Sequence, residues 1–237
     1  MTPSQPPRNQ LLSQLSRSDL ALIGPTTKID LPLHKPLEVR DDAIAFVYFV
    51  EEGLASVVEY VVEIGAIEVG VIGFEGMTGL ALIFGDTQSP FDTYVQCEGA
   101  ALRIDAAQLR TALGDSASLR RHLLLYAQAF TIQIASTAFA NGRASLTERL
   151  ARWLLMIGDR MGDNFHITHE FLSTMLAVRR PGVTQALQAL EGDGLVRTSR
   201  GNVEILDRER LITVANGTYG HAELEYRRLL QRNAVYV

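Results

Sequence analysis

Arg179, Arg180, Thr184, Gln185 and Gln188 sit close together in the chain, and all carry side chains that make hydrogen bonds. In the same stretch, PGVTQALQALEGDG, apolar residues recur at Val183, Ala186, Leu187 and Leu190, the spacing of one buried helix face. The five polar residues then share the opposite face, rich in donors and free of acid. Arginine makes planar two-point contacts to phosphate and guanine, and glutamine does the same to adenine. The chemistry is that of probing a major groove. Two more arginines, Arg197 and Arg200, lie in LVRTSRGNVEI, where two β-prone runs flank Ser199-Arg-Gly-Asn202 as in a hairpin.

A helix that probes a groove needs a partner to hold it. Ahead of it, HEFLSTMLAV predicts a short helix that buries Phe171, Leu172, Met175 and Leu176, with Thr168 as its N-cap. Pro181 suits the first position of the second helix, and Gly192 or Gly194 ends it. Small residues at Ser173 and Ala177 let the two helices cross closely. Two short helices, a tight turn and a hairpin make a winged helix-turn-helix. A hairpin of helices that served only as structure would have no reason to keep its polar face free of acid.

Charge divides along the chain in the same sense. Residues 1–115 hold 16 acids against 7 bases, whereas residues 116–237 hold 11 against 15. A basic back half behind an acidic front suits a polyanionic partner for the back half alone. Only Lys28 and Lys35 are lysines, and most of this arginine surplus is compositional. No run approaches about 18 consecutive apolar residues, the N-terminus MTPSQPPRNQ is polar and proline-rich, and Cys97 is the only cysteine. These features predict a soluble, cytoplasmic protein with no membrane partner and no disulfide.

Residues 9–24 read as one or two short helices, with apolar positions at Leu11, Leu12, Leu15, Leu20 and Leu22, ended by Gly24-Pro25. From about 26 to 104 come Val/Ile/Tyr-rich runs (FVYFV, ASVVEYVV, AIEVGVIGF, TYVQC, AALRI) broken by glycine, proline and aspartate. This texture predicts many short strands in a sandwich or barrel, with a helical turn at Leu80–Phe84. A short helix capped by Asp105 follows. Residues 116–141 then form a long helix in which Leu119, Leu123, Ala127, Phe130, Ile134 and Thr137 alternate by four and three. That stripe reads as a dimer seam; the alternative is packing on the β-module. Asn141-Gly142 is expected to break the helix. Ser145 and Glu148 form a capping box, opening a helix faced by Leu146, Leu150, Trp153, Leu154 and Ile157. The tail helix HAELEYRRLLQR carries Ala222, Tyr226, Leu229 and Leu230 on one stripe, expected to pack back on the winged domain.

This order, and above all the ungapped stretch ITHEFLSTMLAVRRPGVTQALQALEGDGLV, resembles the Crp–Fnr family of bacterial transcription regulators over nearly the whole chain. The resemblance implies an α+β protein: an N-terminal double-stranded β-roll (jelly-roll, cyclic-nucleotide-binding-like) over 1–115, a dimerisation helix over 116–141, and a winged helix-turn-helix DNA-binding domain over 142–237. It implies a homodimer on a double-stranded DNA operator, an unknown small-molecule effector, and RNA polymerase as a further candidate partner. By position, Arg180 falls on the family's base-reading arginine and Gln185 on another base contact. Thr168 and Arg200 match backbone-contact positions. The acidic residue that commonly follows the arginine is Pro181 here, which departs from the family's usual half-site.

Family members that bind cyclic AMP neutralise its phosphate with an arginine. The matching segment, residues 73–95, keeps Gly73, Glu75 and Gly76, with Ser89 and Thr93 as polar candidates for an effector pocket. Yet no Lys or Arg occurs between Arg40 and Arg103. An anion there lacks a counter-ion, so cyclic-nucleotide binding is disfavoured; a cyclic-nucleotide-responsive regulator is the alternative. Cys97 alone cannot hold an iron–sulfur cluster and reads as a core residue. His34 is the only histidine before residue 116, too few for a cupin-type metal site, and no catalytic motif appears. No cofactor, metal or enzymatic activity is expected. A β-roll binding or scaffold protein that does not bind DNA is the alternative from another class.

Overall fold

A computed structural model describes residues 7–231; the first six residues and the last six of the expected tail lie outside the described residues. Two short helices come first, α1 (Gln10–Ser13) and α2 (Arg17–Ile23). Asn9 and Ser16 cap them through their side chains, and Gly24 ends α2 at φ 73°. Leu11, Leu12 and Ile23 are buried, whereas Leu22 is exposed.

Five strands follow: β1 (Thr27–Leu31), β2 (Pro36–Glu38), β3 (Phe46–Val61), β4 (Gly65–Ile72) and, after helix α3 (Leu80–Phe84), β5 (Asp92–Asp105). They form one sheet in the order β1-β5-β3-β4, with β2 also paired to β5. β1 runs antiparallel to β5, Thr27 opposite Arg103 and Leu31 opposite Gly99. The strands are fewer and longer than expected. FVYFV and ASVVEYVV are one strand, as are TYVQC and AALRI, because Gly53 and Gly99 are close-approach points rather than turns. A Cβ on Gly53 would stand 2.5 Å from Cys97 O, and one on Gly99 would stand 2.0 Å from Glu52 O. Glycine here lets two backbones touch without ending either strand. Cys97 is buried, as a small core residue should be.

Helix α4 (Ala106–Asp115) has Asp105 at its N-cap position, where the side chain makes no capping hydrogen bond, and α5 spans Ala117–Arg143. Gly142 does not break α5. It lies near the exposed end of the helix, where a glycine costs about 1 kcal/mol against alanine and is tolerated. By length and composition alone α5 would also pass for a membrane span. Its residues Leu119, Leu123, Tyr126, Ala127, Ala129 and Phe130 are buried within the protein.

The chain forms two compact units. One takes the chain up to Val57, Val71–Ala129 and the chain from Arg228 on; the other takes Val58–Gly70 and Phe130–Arg227. In the first, a polar hub joins α2 to the start of α5. The Asp19 carboxylate accepts hydrogen bonds from Ser16, Ser116 and Ser118. Burial works against that carboxylate, but the hydroxyls outweigh it and hold Asp19 below its ordinary value. His122 lies beside it, with Nε2 3.2 Å from Leu11 O, and burial pulls the imidazole below its usual range.

The second unit is built on α6 (Leu146–Met161), which is buried nearly all round. The expected capping box is present, with Ser145 Oγ and the Glu148 carboxylate each accepting the other's backbone N–H. Strand β6 (Asn164–His166), helices α7 (His169–Met175) and α8 (Arg180–Gly192), strands β7 (Val196–Ser199) and β8 (Asn202–Ile205), and helices α9 (Arg208–Val214) and α10 (His221–Leu230) complete the chain. The three small strands pair in the order β6-β8-β7. The segment after α9 is pinned along α6: Asn216 donates to Glu148, Thr218 O accepts from buried Arg152, and Tyr219 donates to Asp159. On α10 Ala222 is buried and Tyr226 half-buried, whereas buried Leu229 and Leu230 belong to the first unit, so the tail stripe is not wholly part of the winged unit as expected. The sequence pattern revealed neither β6 nor α9.

Candidate nucleic-acid interface

Thr168 Oγ1 accepts from Phe171 N at 3.2 Å, which caps α7 as its position requires. Leu172, Met175 and Leu176 turn into the core while Phe171 stays half-buried. The chain then reverses through Ala177, which holds φ 49° in the left-handed region, and Val178 N closes the turn onto Ser173 O at 2.9 Å. Helix α8 begins at Arg180 with Arg179 as N-cap, which puts Pro181 second rather than first. Either place is harmless, because the first-turn N–H groups have no intrahelical acceptor.

Val183, Ala186, Leu187 and Leu190 are buried, and this orients the other face of α8. Arg179, Arg180, Gln185 and Gln188 are exposed along it. Thr184 is half-buried, its Oγ1 3.2 Å from Arg180 O and 3.0 Å from Nδ1 of His169. The sequence pattern does not single His169 out as a functional residue. The only hint was its place immediately after the Thr168 cap, which directs the first-turn side chain of α7 toward α8.

The wing is a tight hairpin, Val196 opposite Ile205 and Ser199 opposite Asn202. Its two turn residues, Arg200 at φ 46° and Gly201 at φ 84°, give the twist that suits antiparallel strands. Arg200 is exposed at the tip. Arg197 is not a second free cation beside it, because its guanidinium pairs with Glu204 at 2.8 Å across the hairpin. Glu191, at the end of α8, accepts from the backbone N–H and hydroxyl of Thr198. That contact ties β7 to α8 and turns the acid away from the exposed polar face of α8.

The expected dimer stripe divides. Leu119, Leu123 and Ala127 are fully buried in their own chain, Phe130 is 5% exposed, and Ile134 and Thr137 are half-buried. Side chains without exposed surface have none to offer a partner, so Leu119, Leu123 and Ala127 turn inward. Leu124, Gln128, Thr131, Ala135 and Ala138 form a second stripe with the same four–three spacing, and all are exposed, with Phe139 beside them at 62%.

The effector candidates also divide. A cavity of about 170 Å³ in the sheet unit is lined by Glu38, Asp42, Phe46, Tyr48 and Ser89, among others. Ser89 is the only one of the five candidates to reach it, and its hydroxyl is given to Phe91 O. Thr93 is fully buried and donates to Glu38. Gly73 N donates to Glu75, and Gly76 packs against the Tyr126 hydroxyl.

Residues 148–214 match the family model of the Crp-like helix-turn-helix domain. No curated protein matches the chain in sequence. Among solved structures, a putative Crp/Fnr-family transcriptional regulator from Eubacterium rectale is similar at 21% identity and TM-score 0.69, over 87% of this chain and 98% of that one. FixK2 from Bradyrhizobium japonicum is similar at 15% identity and TM-score 0.71, over 80% and 97%. TTHB099, a CRP-family transcriptional regulator from Thermus thermophilus, is similar at 17% identity and TM-score 0.67, also over 80% and 97%. At these identities the structures speak for the fold, and the family model speaks for the reader. On those two grounds, residues 148–214 are similar to a Crp-like helix-turn-helix domain and the chain has the fold of these Crp/Fnr-family regulators.

Proposed function

We propose that the protein is a homodimeric, cytoplasmic, sequence-specific regulator that acts without enzymatic activity and whose β-module answers to something other than a cyclic nucleotide. The observation that carries the DNA reading is the exposed face of α8, where Arg179, Arg180, Gln185 and Gln188 stand clear of any acid, with Arg200 at the wing tip. Two such readers on one duplex face would sit about 34–36 Å apart. Dimerisation uses the exposed stripe of α5 through Leu124, Gln128, Thr131, Ala135, Ala138 and Phe139. The division of labour is a sensor over 1–115, a dimer helix over 116–141 and a reader over 142–237, with RNA polymerase as a candidate partner at the promoter.

Glu38 supports the effector reading. Its carboxylate accepts from Gly79 N and Thr93 Oγ1, both at 2.9 Å, so an internal anion already holds donors that an anionic ligand would need. Burial pushes its carboxyl above the usual range, partly offset by those two bonds. With no cation between Arg40 and Arg103, a cyclic phosphate would meet this carboxylate uncompensated.

Selection of bound fragments from genomic DNA, with purified protein in the presence and absence of cell extract, tests the reading. A single recurring palindromic site is the expected result, and recovery of no enriched fragment in either arm would overturn it. Titration calorimetry with cyclic AMP and cyclic GMP is expected to show no binding; heat of binding for either overturns the effector part alone.

A further inference from the structure

Thr184 on α8 has two polar partners, and together they settle what its hydroxyl can offer. The Arg180 carbonyl, one helical turn back, accepts but never donates, so the single hydroxyl proton of Thr184 goes to it. His169 Nδ1 must then carry a proton of its own and donate to Thr184 Oγ1. This is the one arrangement in which both contacts are hydrogen bonds. It leaves Oγ1 with one lone pair and no proton.

We infer that His169 is a specificity-determining residue that acts through Thr184, holding the threonine hydroxyl as an acceptor. A free threonine hydroxyl rotates and serves donor or acceptor edges alike. Held in this way, it selects a base that presents an amino group to the major groove, adenine through N6 or cytosine through N4. Guanine and thymine offer only acceptors there and are refused. The inference rests on α8 being the helix that enters the groove. It adds that a side chain on the other helix of the motif sets the sign of one contact without touching the base.

Selection from randomised duplex DNA with the full-length protein tests this, comparing wild type, Thr184→Val, His169→Ala, the double variant and His169→Asn. Wild type is expected to restrict one position to adenine or cytosine. Thr184→Val and His169→Ala each relax that same position by about fivefold, the worth of one hydrogen bond. The double variant goes no further than either single one. His169→Asn keeps the restriction, because its Nδ2–H sits where Nδ1–H was. A melting temperature for each variant separates packing from reading: a merely structural His169 lowers it and leaves every base preference in place. That pattern overturns the inference, as does Thr184→Val selecting the wild-type sequence. A wild-type protein that enriches no sequence overturns the groove reading of α8 itself, a failure visible before any variant is made.

Discussion

The indole Nε1 of Trp153 donates to the Glu68 carboxylate at 2.7 Å, and both side chains are buried, at 3% and 5% exposure. Glu68 comes from β4 next to the β3–β4 turn, and Trp153 from the middle of α6. The sequence holds them 85 residues apart, yet they lie in the same compact unit. Replacing Glu68 with alanine strands a buried indole N–H, which costs about 1–3 kcal/mol. Glu68→Gln keeps an acceptor and is expected to lose less. Denaturant unfolding followed by fluorescence checks both, since Trp153 is the only tryptophan. Equal midpoints for the alanine variant and wild type would show the bond to be idle.

Arg180→Ala is expected to weaken operator binding by about 1–3 kcal/mol and to relax choice at one base pair. Arg200→Ala should instead weaken all sequences alike and lower the salt slope by about one charge. Arg197→Ala should do little, because its charge is already met by Glu204. Gel shifts across a salt series distinguish the three behaviours.

Ala177 holds a left-handed conformation between α7 and α8. An L-residue pays about 1–2 kcal/mol for that region, and glycine does not. Ala177→Gly should therefore raise the melting temperature of the winged unit while DNA affinity stays unchanged. A lower melting temperature would mean that the alanine methyl packs better than the strain it carries.

The stripes of α5 predict opposite outcomes. Leu123→Ala removes a fully buried side chain and should cost about 2–5 kcal/mol without changing the oligomeric state. Leu124→Glu with Phe139→Glu places charge on the exposed stripe and should yield folded monomers. Sedimentation at micromolar concentration decides this, and a wild-type monomer would remove the dimer reading altogether.

His122 gives the sheet unit a pH dependence of known sign. Its folded value lies below that of the unfolded chain, so acid loads the unfolded state with a proton first. Stability therefore falls as pH drops below about 6.5, and stays flat above it for this residue. Burial is the leading cause, with the Leu11 carbonyl and the Asp19 carboxylate opposing it. Melting curves at pH 7.5 and 5.5 should show a smaller loss in His122→Gln than in wild type; an identical loss would assign the effect elsewhere.

Much of this protein could be read before folding, and for a local reason. The capping box at Ser145, the cap at Thr168, the buried face of α8 and the turn of the wing all follow from residues within a few positions of one another. Backbone hydrogen bonds and side-chain periods act over that range. The exposed, acid-free set Arg179, Arg180, Gln185 and Gln188 was legible because a helix with one apolar face has only one other face to show.

Tertiary structure decided what depends on partners far away in sequence. Two stripes of α5 share the same spacing, and only packing shows that Leu119, Leu123 and Ala127 turn inward. Gly53 and Gly99 read as turns until β3 and β5 lie against each other. Glu38 becomes an internal anion only when Gly79 and Thr93 come to it from other elements. His169 and Thr184, 15 residues apart, meet because α7 crosses α8. Amino-acid order by itself thus determined most of the helices, the wing and the exposed, acid-free face of α8. Which apolar face is covered, and which hydroxyl has already given up its proton, are properties of contact between elements, and these exist only once the chain has closed on itself.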